Sequence, residues 1–379
     1  MFKNKFHWKV GQKRFTHKHK AALESVNTGY GIEWIPPDDW VSYDWSQPPH
    51  KDLETLVLEQ VIKLRQSYSR VTLWYSGGTD SQTVLDIFLK YRIKIDEIIC
   101  FKSGIPKADF EIDTVAIPYL NFRKNDLRGA KISIIELTRN DILSWHQKRF
   151  WELYEGYHSH TLRPQYATAM FNFANKPKPN EINIWCSPKS YVFCADNEWY
   201  TYLPDWEMYS YFIPDVCNIY MASPDIYHRQ SSDLISHVKT IDRTLWNKVT
   251  GNFDYQHEWN KGMGRHKNHR NLIQPKIFDL DGNFRRTLTI NNRKQDLIEY
   301  SNKETASWSE VDQELIDQWQ NNMSDLWDLK HLFNHGQPHK YLIGCPGVVY
   351  NLNTGEIHNN THIFKDGFHP EKLSPGPAG

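Results

Sequence analysis

Apolar residues recur along this chain in two periods, and each switch between them marks an element. In "KDLETLVLEQVIKLRQSY", Leu53, Leu56, Val57, Val61 and Leu64 share one face of a helix. "RVTLWYS" then reads as a buried strand and "SQTVLDIFLKY" as the helix that follows it. "IDEIICF", from Ile95 to Phe101, is a second buried strand. "DFEIDTVAIPYLNF" reads as a helix interrupted or ended near Pro118, because proline has no N–H and its ring crowds the preceding turn. "AKISIIEL" is a third strand, and Thr138 and Asp141 are spaced as a capping pair ahead of a helix in "DILSWHQKRFWELY". Strand and helix alternate three times. That order predicts an α/β fold, a doubly wound parallel sheet with helices on both faces.

Further along, "RPQYATAMFNFA" reads as a helix, and "INIWCS", "SYVFCA" and "EWYTYL" as strands. "SPDIYHRQSSDLISHVKTI" is a helix with Ser223 as N-cap and Pro224 in its first position. Beyond Thr240 the texture is mixed and polar: a basic loop in "KGMGRHKNHR", a turn in "DLDGNF", a long helix capped by Ser309, and a terminal hairpin that turns at "NTG". The first fifty residues look different again. Seven Lys and Arg precede the first acidic residue, Glu24, and "WIPPDDWVSYDWSQPP" is too rich in proline and tryptophan for a regular element. These features predict an irregular basic and aromatic arm over residues 1–50, lying across the body with its rings in surface grooves. Residues 51–240 form the expected α/β domain, and 241–379 a mixed α+β extension for substrate binding or an accessory role.

Composition narrows the partners. There are 45 Lys and Arg against 45 Asp and Glu, so a globally basic nucleic-acid binder is not expected and only local basic patches remain for such contacts. Aromatic residues make up 14%, with 15 Trp and 20 Tyr, more rings than are usually buried whole. No run of eighteen apolar residues exists, and the N-terminal stretch has no apolar signal core, so neither a membrane span nor a secretory signal is expected. The five cysteines include no C-x-x-C pair, which suits reduced thiols in a cytoplasmic compartment.

The chemistry concentrates where the first sheet strand meets its helix, at Ser76-Gly77-Gly78-Thr79-Asp80-Ser81. A helix that starts at the carboxyl end of a parallel strand presents unpaired N–H groups and about half a positive charge. Glycines let an anion approach the backbone, and Ser76 and Ser81 carry hydroxyls that can donate to phosphate oxygens. Asp80 would repel a bare phosphate. It fits if Mg²⁺ lies between carboxylate and phosphate. The plainer alternative makes Asp80 the N-cap of the helix after a glycine turn. Neither the G-x-x-x-x-G-K-[ST] loop nor the G-x-G-x-x-G fingerprint occurs.

"SGGTDS" after an apolar strand resembles the pyrophosphate loop of the PP-loop ATP pyrophosphatases, and the order of elements from about Arg70 to Lys239 is similar to their adenine nucleotide alpha-hydrolase-like fold. "PPHKDLETLVLEQVIKLRQSYSRVTLWYSGGTDS", "IDEIICF" and "SPDIYHRQSSDLISHV" resemble PP-loop proteins of tailed phages that are described as asparagine-synthetase-like or PAPS-reductase-like. A phage origin would put the protein in the host cytoplasm. The resemblance implies ATP and Mg²⁺ as cofactors and cleavage of ATP to AMP and pyrophosphate. The substrate oxygen so adenylylated is then attacked by a nitrogen nucleophile. It carries residues 76–81 over as the nucleotide loop, Asp80 as metal ligand and catalytic carboxylate, and the end of the second strand, around Phe101, as the adenine position.

Two further residues are candidates for catalysis. Lys189, in "WCSPKSYVF", could reach a phosphate, and Arg229, in "YHRQSSD", could clamp a phosphate or carboxylate through paired hydrogen bonds. Three functions stay open. One is an adenylating ligase acting on a small molecule or nucleobase. Another is sulfur transfer to nucleic acid or sulfonucleotide reduction, with Cys186 and Cys194 brought together by adjacent strands. The third is a nucleotide-binding module without catalysis. Oligomeric state is not readable from the sequence.

Overall fold

A computed structural model of the chain describes residues 6–15, 18–30, 32–102, 109, 111–138, 140–141, 144–145, 171, 174–175, 177–186, 190–195, 198–203, 215–241 and 347–361. The first fifty residues are not an irregular arm. Strands β1 (His7–Val10) and β2 (Lys13–Phe15) form a hairpin, helix α1 (Lys18–Thr28) follows, and β3 (Ile32–Ile35) pairs antiparallel with β1. The hairpin closes through Gly11-Gln12, with Gly11 at φ +56°, a backbone geometry that suits glycine in a two-residue turn. Phe6, Trp8 and Val10 alternate along the strand and are all buried, as are Trp34, Trp40 and Trp45. After the short helix α2 (Asp38–Val41) comes α3 (Leu53–Ser67), capped by Asp52, whose carboxylate accepts from the Thr55 N–H at 2.8 Å.

The α/β part follows as β4 (Arg70–Trp74), α4 (Thr79–Lys90), β5 (Glu97–Lys102), a π-helical turn (Ile112–Ala116) running into α5 (Ile117–Phe122), β6 (Lys131–Glu136) and β7 (Glu181–Trp185). Pro118 does not end the helix. It sits in the first turn of α5, and the wider π turn lies just before it, where the proline removes an N–H from the ladder. The capping pair forms as expected: the Asp141 N–H donates to Thr138 Oγ1 at 3.2 Å, and the Thr138 N–H donates to Asp141 Oδ2 at 3.1 Å.

Strands β8 (Tyr191–Ala195) and β9 (Glu198–Leu203) leave the parallel sheet. They join a four-stranded antiparallel sheet with β11 (Gly347–Asn351) and β12 (Ile357–Thr361), in the order β12-β11-β9-β8. Between them in sequence lie β10 (Val216–Asn218) and helix α6 (Pro224–Ile241), with Ser223 Oγ accepting from the Ile226 N–H at 3.3 Å as its cap. The terminal hairpin turns where expected, through Gly355 at φ +80°. The basic loop, "DLDGNF" and the long helix expected after Ser309 lie outside the described residues.

The parallel sheet has five strands in the order β10-β7-β4-β5-β6. From central β4 the chain moves outward through β5 to β6, then returns to the other side of β4 at β7. The carboxyl ends of β4 and β7 therefore flank a topological switch point, where open α/β sheets leave a crevice. On one face, α3, α4 and the π turn with α5 bury Val71, Leu73, Ile98, Cys100, Ile182 and Ile184. Trp74 and Phe101 alternate with these residues and belong to the opposite face, where Phe171 meets Phe101. Among the described residues no helix is long and apolar enough to cross a membrane.

A second core joins distant parts of the chain. Phe6, Trp8, Trp34, Trp40 and Trp45 pack with Leu203, Met221 and Tyr227 from the middle of the chain and Val348 and Tyr350 from near its end. Trp45 stacks on Tyr350 with ring centroids 3.9 Å apart. The rings expected in surface grooves are thus the interior of a packed unit that draws on residues 1–50, 51–240 and 241–379 alike.

Candidate functional site

Strand β4 continues past Trp74 for one residue, the Tyr75 N–H donating to the Ile99 carbonyl at 2.8 Å, and then turns sharply. Gly77 makes the turn at φ +79°, and a Cβ there would stand 2.8 Å from the backbone nitrogen of Ala116 in the π turn. Glycine is required for conformation and for space together. Gly78 is the N-cap of α4, in extended conformation, and no side chain caps the helix. Asp80 lies inside the first turn, so its role is not that of an N-cap. The N-cap residue of α4 therefore supplies no side-chain acceptor to the amides that open the helix.

The two serines differ. Ser81 is buried, and its hydroxyl accepts from the Ser76 N–H at 3.2 Å and donates to the Gly78 carbonyl at 3.2 Å. It braces the loop from within, which departs from the expectation that both hydroxyls donate outward. Ser76 is exposed, and its Oγ takes the Gly78 N–H at 3.3 Å. Thr79 opens α4. Half-buried Asp80 is held through its backbone, its carbonyl accepting from Tyr220 Oη at 2.9 Å.

Behind the loop runs a buried polar chain. The Tyr75 hydroxyl donates to Gln82 Oε1, Gln82 Nε2 donates to Asp86 Oδ1 at 2.7 Å, and Tyr119 Oη donates to the same oxygen at 3.1 Å. These bonds tie α4 to the segment after β5. That segment brings Glu111 to the loop, its carboxylate oxygens 3.4 and 3.6 Å from where a Cβ on Gly78 would be. Sequence reasoning missed Glu111, Tyr220 and Asp86. The acids of "DFEID" were the visible signal, but nothing in their spacing relates them to the loop some thirty residues earlier.

The other expected site residues are scattered. Phe101 stands at the end of β5, edge-on to Trp74 at 5.3 Å, and Trp74 in turn meets Trp185 at 5.5 Å, so rings line the carboxyl ends of β5, β4 and β7. Arg229 is engaged on α6, donating to the Pro49 carbonyl at 3.3 Å and pairing with Asp233. Neither partner belongs to the loop. Lys189 lies outside the described residues.

Among the described residues, the thiols of Cys100, Cys186 and Cys217 are all raised by burial. Burial pushes Cys186 well above the usual thiol range, and the carboxylate of nearby Asp80 adds to the effect. Burial alone raises Cys100 to about 12, and burial raises Cys217 to about 11. Cys186 follows β7 and Cys194 sits in β8, strands of two different sheets, so the two do not lie on adjacent strands as expected. Among the described residues no group of three or more His, Cys, Asp and Glu is placed to hold a metal ion.

No family model matches the chain, and no curated protein matches it. Among solved structures, an NH3-dependent NAD synthetase from Campylobacter jejuni subsp. jejuni NCTC 11168, in complex with the nitrate ion, is similar over 36% of this chain at 14% identity and a TM-score of 0.24. The chain spans 57% of the length of that synthetase. So remote a likeness adds nothing to the geometry of the loop.

Proposed function

We propose that the protein is an ATP-dependent adenylating enzyme of the synthetase type, with the 76–81 loop as its pyrophosphate cradle. The observation that carries this reading is the opening of α4. It lies at the end of the central strand, beside the switch point, with two glycines and no side-chain cap. Main-chain amides so placed suit the β and γ phosphates of ATP. The rings of Phe101, Trp74 and Trp185 stand at the neighbouring strand ends, where an adenine would stack.

In the proposed reaction a substrate oxygen attacks the α-phosphorus, and the bond to the β-phosphate oxygen breaks. Pyrophosphate leaves on the loop, and a nitrogen nucleophile then displaces AMP from the activated substrate. Pre-placed N–H donors stabilise the charge that gathers on the leaving group. Mg²⁺ commonly uses one or two carboxylates together with phosphate oxygens, so Asp80 beside the cradle fits it without a three-ligand cage. Bound there, the ion would offset charge on the pyrophosphate. The acceptor is a small molecule or a nucleobase, and basic segments offer contacts to nucleic acid.

Among the described residues, Cys100 and Cys186 are buried thiols raised by that burial, which supports nitrogen over sulfur chemistry at those positions, because a persulfide carrier needs an accessible thiolate. Product analysis tests the assignment. With Mg²⁺, ATP and candidate acceptors, AMP and pyrophosphate should form together. ADP and phosphate would refute the bond cleavage, and tight ATP binding without turnover across acceptors would favour the non-catalytic module. Asp80→Ala should lower pyrophosphate release by about 10²-fold or more; unchanged turnover would remove its metal role.

A further inference from the structure

A band of rings crosses the carboxyl ends of three neighbouring strands. Trp74 ends β4, Phe101 lies near the end of β5, and Trp185 ends β7. Trp74 meets Phe101 with planes 82° apart and centroids 5.3 Å apart, and meets Trp185 at 49° and 5.5 Å. Phe171 continues the band from Phe101 at 5.3 Å, and Trp145 from Phe171 at 6.4 Å, both edge-on. All four contacts are edge-on or tilted, so the ring faces are not used up on one another. Phe101 and Phe171 are half-buried and bring the band to the surface. Trp74 itself is 6% exposed, and among the described residues its buried indole nitrogen has no hydrogen-bond partner. An indole N–H can only donate, and a buried tryptophan ordinarily finds an acceptor for it.

A flat ring that carries its own acceptor meets both features, the open ring faces and the unpaired donor. Trp74 precedes Ser76 by two residues, about 7 Å of extended chain, so the rings and the loop border one crevice. A molecule with phosphates at one end and such a ring at the other is a nucleotide. We propose that Trp74 is a specificity-determining residue whose indole N–H donates to a ring nitrogen of the purine that the loop holds by its phosphates. The role rests on the reading of the loop as a phosphate cradle. It adds a selection by ring edge that stacking does not provide, since every base has a π face. Because the nitrogen is shielded from water, the acceptor reaches it by entering between the rings. A base without a nitrogen at that place leaves the donor buried and unpaired, and is penalised for it.

Calorimetric titration of the full-length protein with ATP and with its 1-deaza, 3-deaza and 7-deaza analogues, in excess Mg²⁺, tests this without relying on turnover. Each analogue replaces one ring nitrogen by C–H. Wild type should bind at least one of them about tenfold more weakly than ATP, the size expected for one buried hydrogen bond. Trp74→Phe keeps an aromatic ring and removes the donor. It should bind ATP about tenfold more weakly than wild type and lose the preference for ATP over that analogue. If the variant does not fold, 3-benzothienylalanine at position 74, which keeps the bicyclic shape and puts sulfur in place of N–H, gives the same readout. A wild type that binds ATP and all three analogues alike, or a Trp74→Phe variant that keeps the wild-type preference, would overturn the role of Trp74 and leave the cradle standing. Binding of pyrophosphate without binding of ATP would do the same. Absence of binding by either would overturn the cradle itself, and this role with it.

Discussion

Gly77 carries two demands at once. Its φ of +79° lies where a side chain is strained, and the space beyond it is taken by the Ala116 backbone at 2.8 Å. Gly77→Ala should therefore cost about 1–3 kcal/mol, more than the usual loss for alanine at positive φ alone. Urea unfolding of the variant measures this, and pyrophosphate titration should show weaker binding beyond the loss of stability, since relief of the contact moves the loop off the π turn. The glycine and the serines were readable because their residue types are unusual after a buried strand. What each one does was not. Ser81 proves to be an internal brace, and Glu111 reaches the loop only through folding, not as a neighbour in sequence.

Between elements, the decisive join is that of α4 with the π turn and α5. Asp86 is buried and takes hydrogen bonds from Gln82 and Tyr119. Tyr119→Phe removes one donor from a buried carboxylate and should destabilise the protein by about 1–3 kcal/mol. Chemical denaturation should register that cost, and an unchanged midpoint would show that water or a rearranged partner replaces the hydroxyl. The β4–loop–α4 unit was evident from sequence because the hydrophobic period changes from strand to helix within twenty residues. The caps at Thr138 with Asp141 and at Ser223 are likewise local. The π turn is not local in that sense. Pro118 announces an interruption, but the close approach of the widened turn to Gly77 joins residues that no short window contains.

The molecule is organised around two cores, and the second was hidden from sequence because its parts lie far apart. Phe6, Trp8 and Val10 do alternate, yet a four-residue strand is a weak signal, its partner β3 follows only after α1, and Val348 and Tyr350 of the last hairpin come much later in the chain. His228 sits in this core, with Nδ1 3.2 Å from Tyr43 Oη and its ring against Trp45. Burial holds its imidazole down at about 4, against an ordinary value of 6.5. The unfolded chain thus takes up a proton in that window while the folded protein does not. Stability should be full above pH 6.5 and fall as the pH drops towards 4, by up to about 3 kcal/mol from this group. Thermal melts of wild type and His228→Phe between pH 7 and 4.5 check the sign: the variant should lose this part of the acid sensitivity, and an identical slope in both would refute it.

The claim on which the rest depends is that the amides of the 76–81 loop grip a polyphosphate. Amide-resolved NMR of the full-length protein, titrated with pyrophosphate in the presence of Mg²⁺, observes those groups directly. The account predicts that the largest saturable shifts fall on Gly77, Gly78, Thr79, Asp80 and Ser81. Saturable shifts confined to other parts of the chain, or no shift in these residues at any concentration, would contradict it.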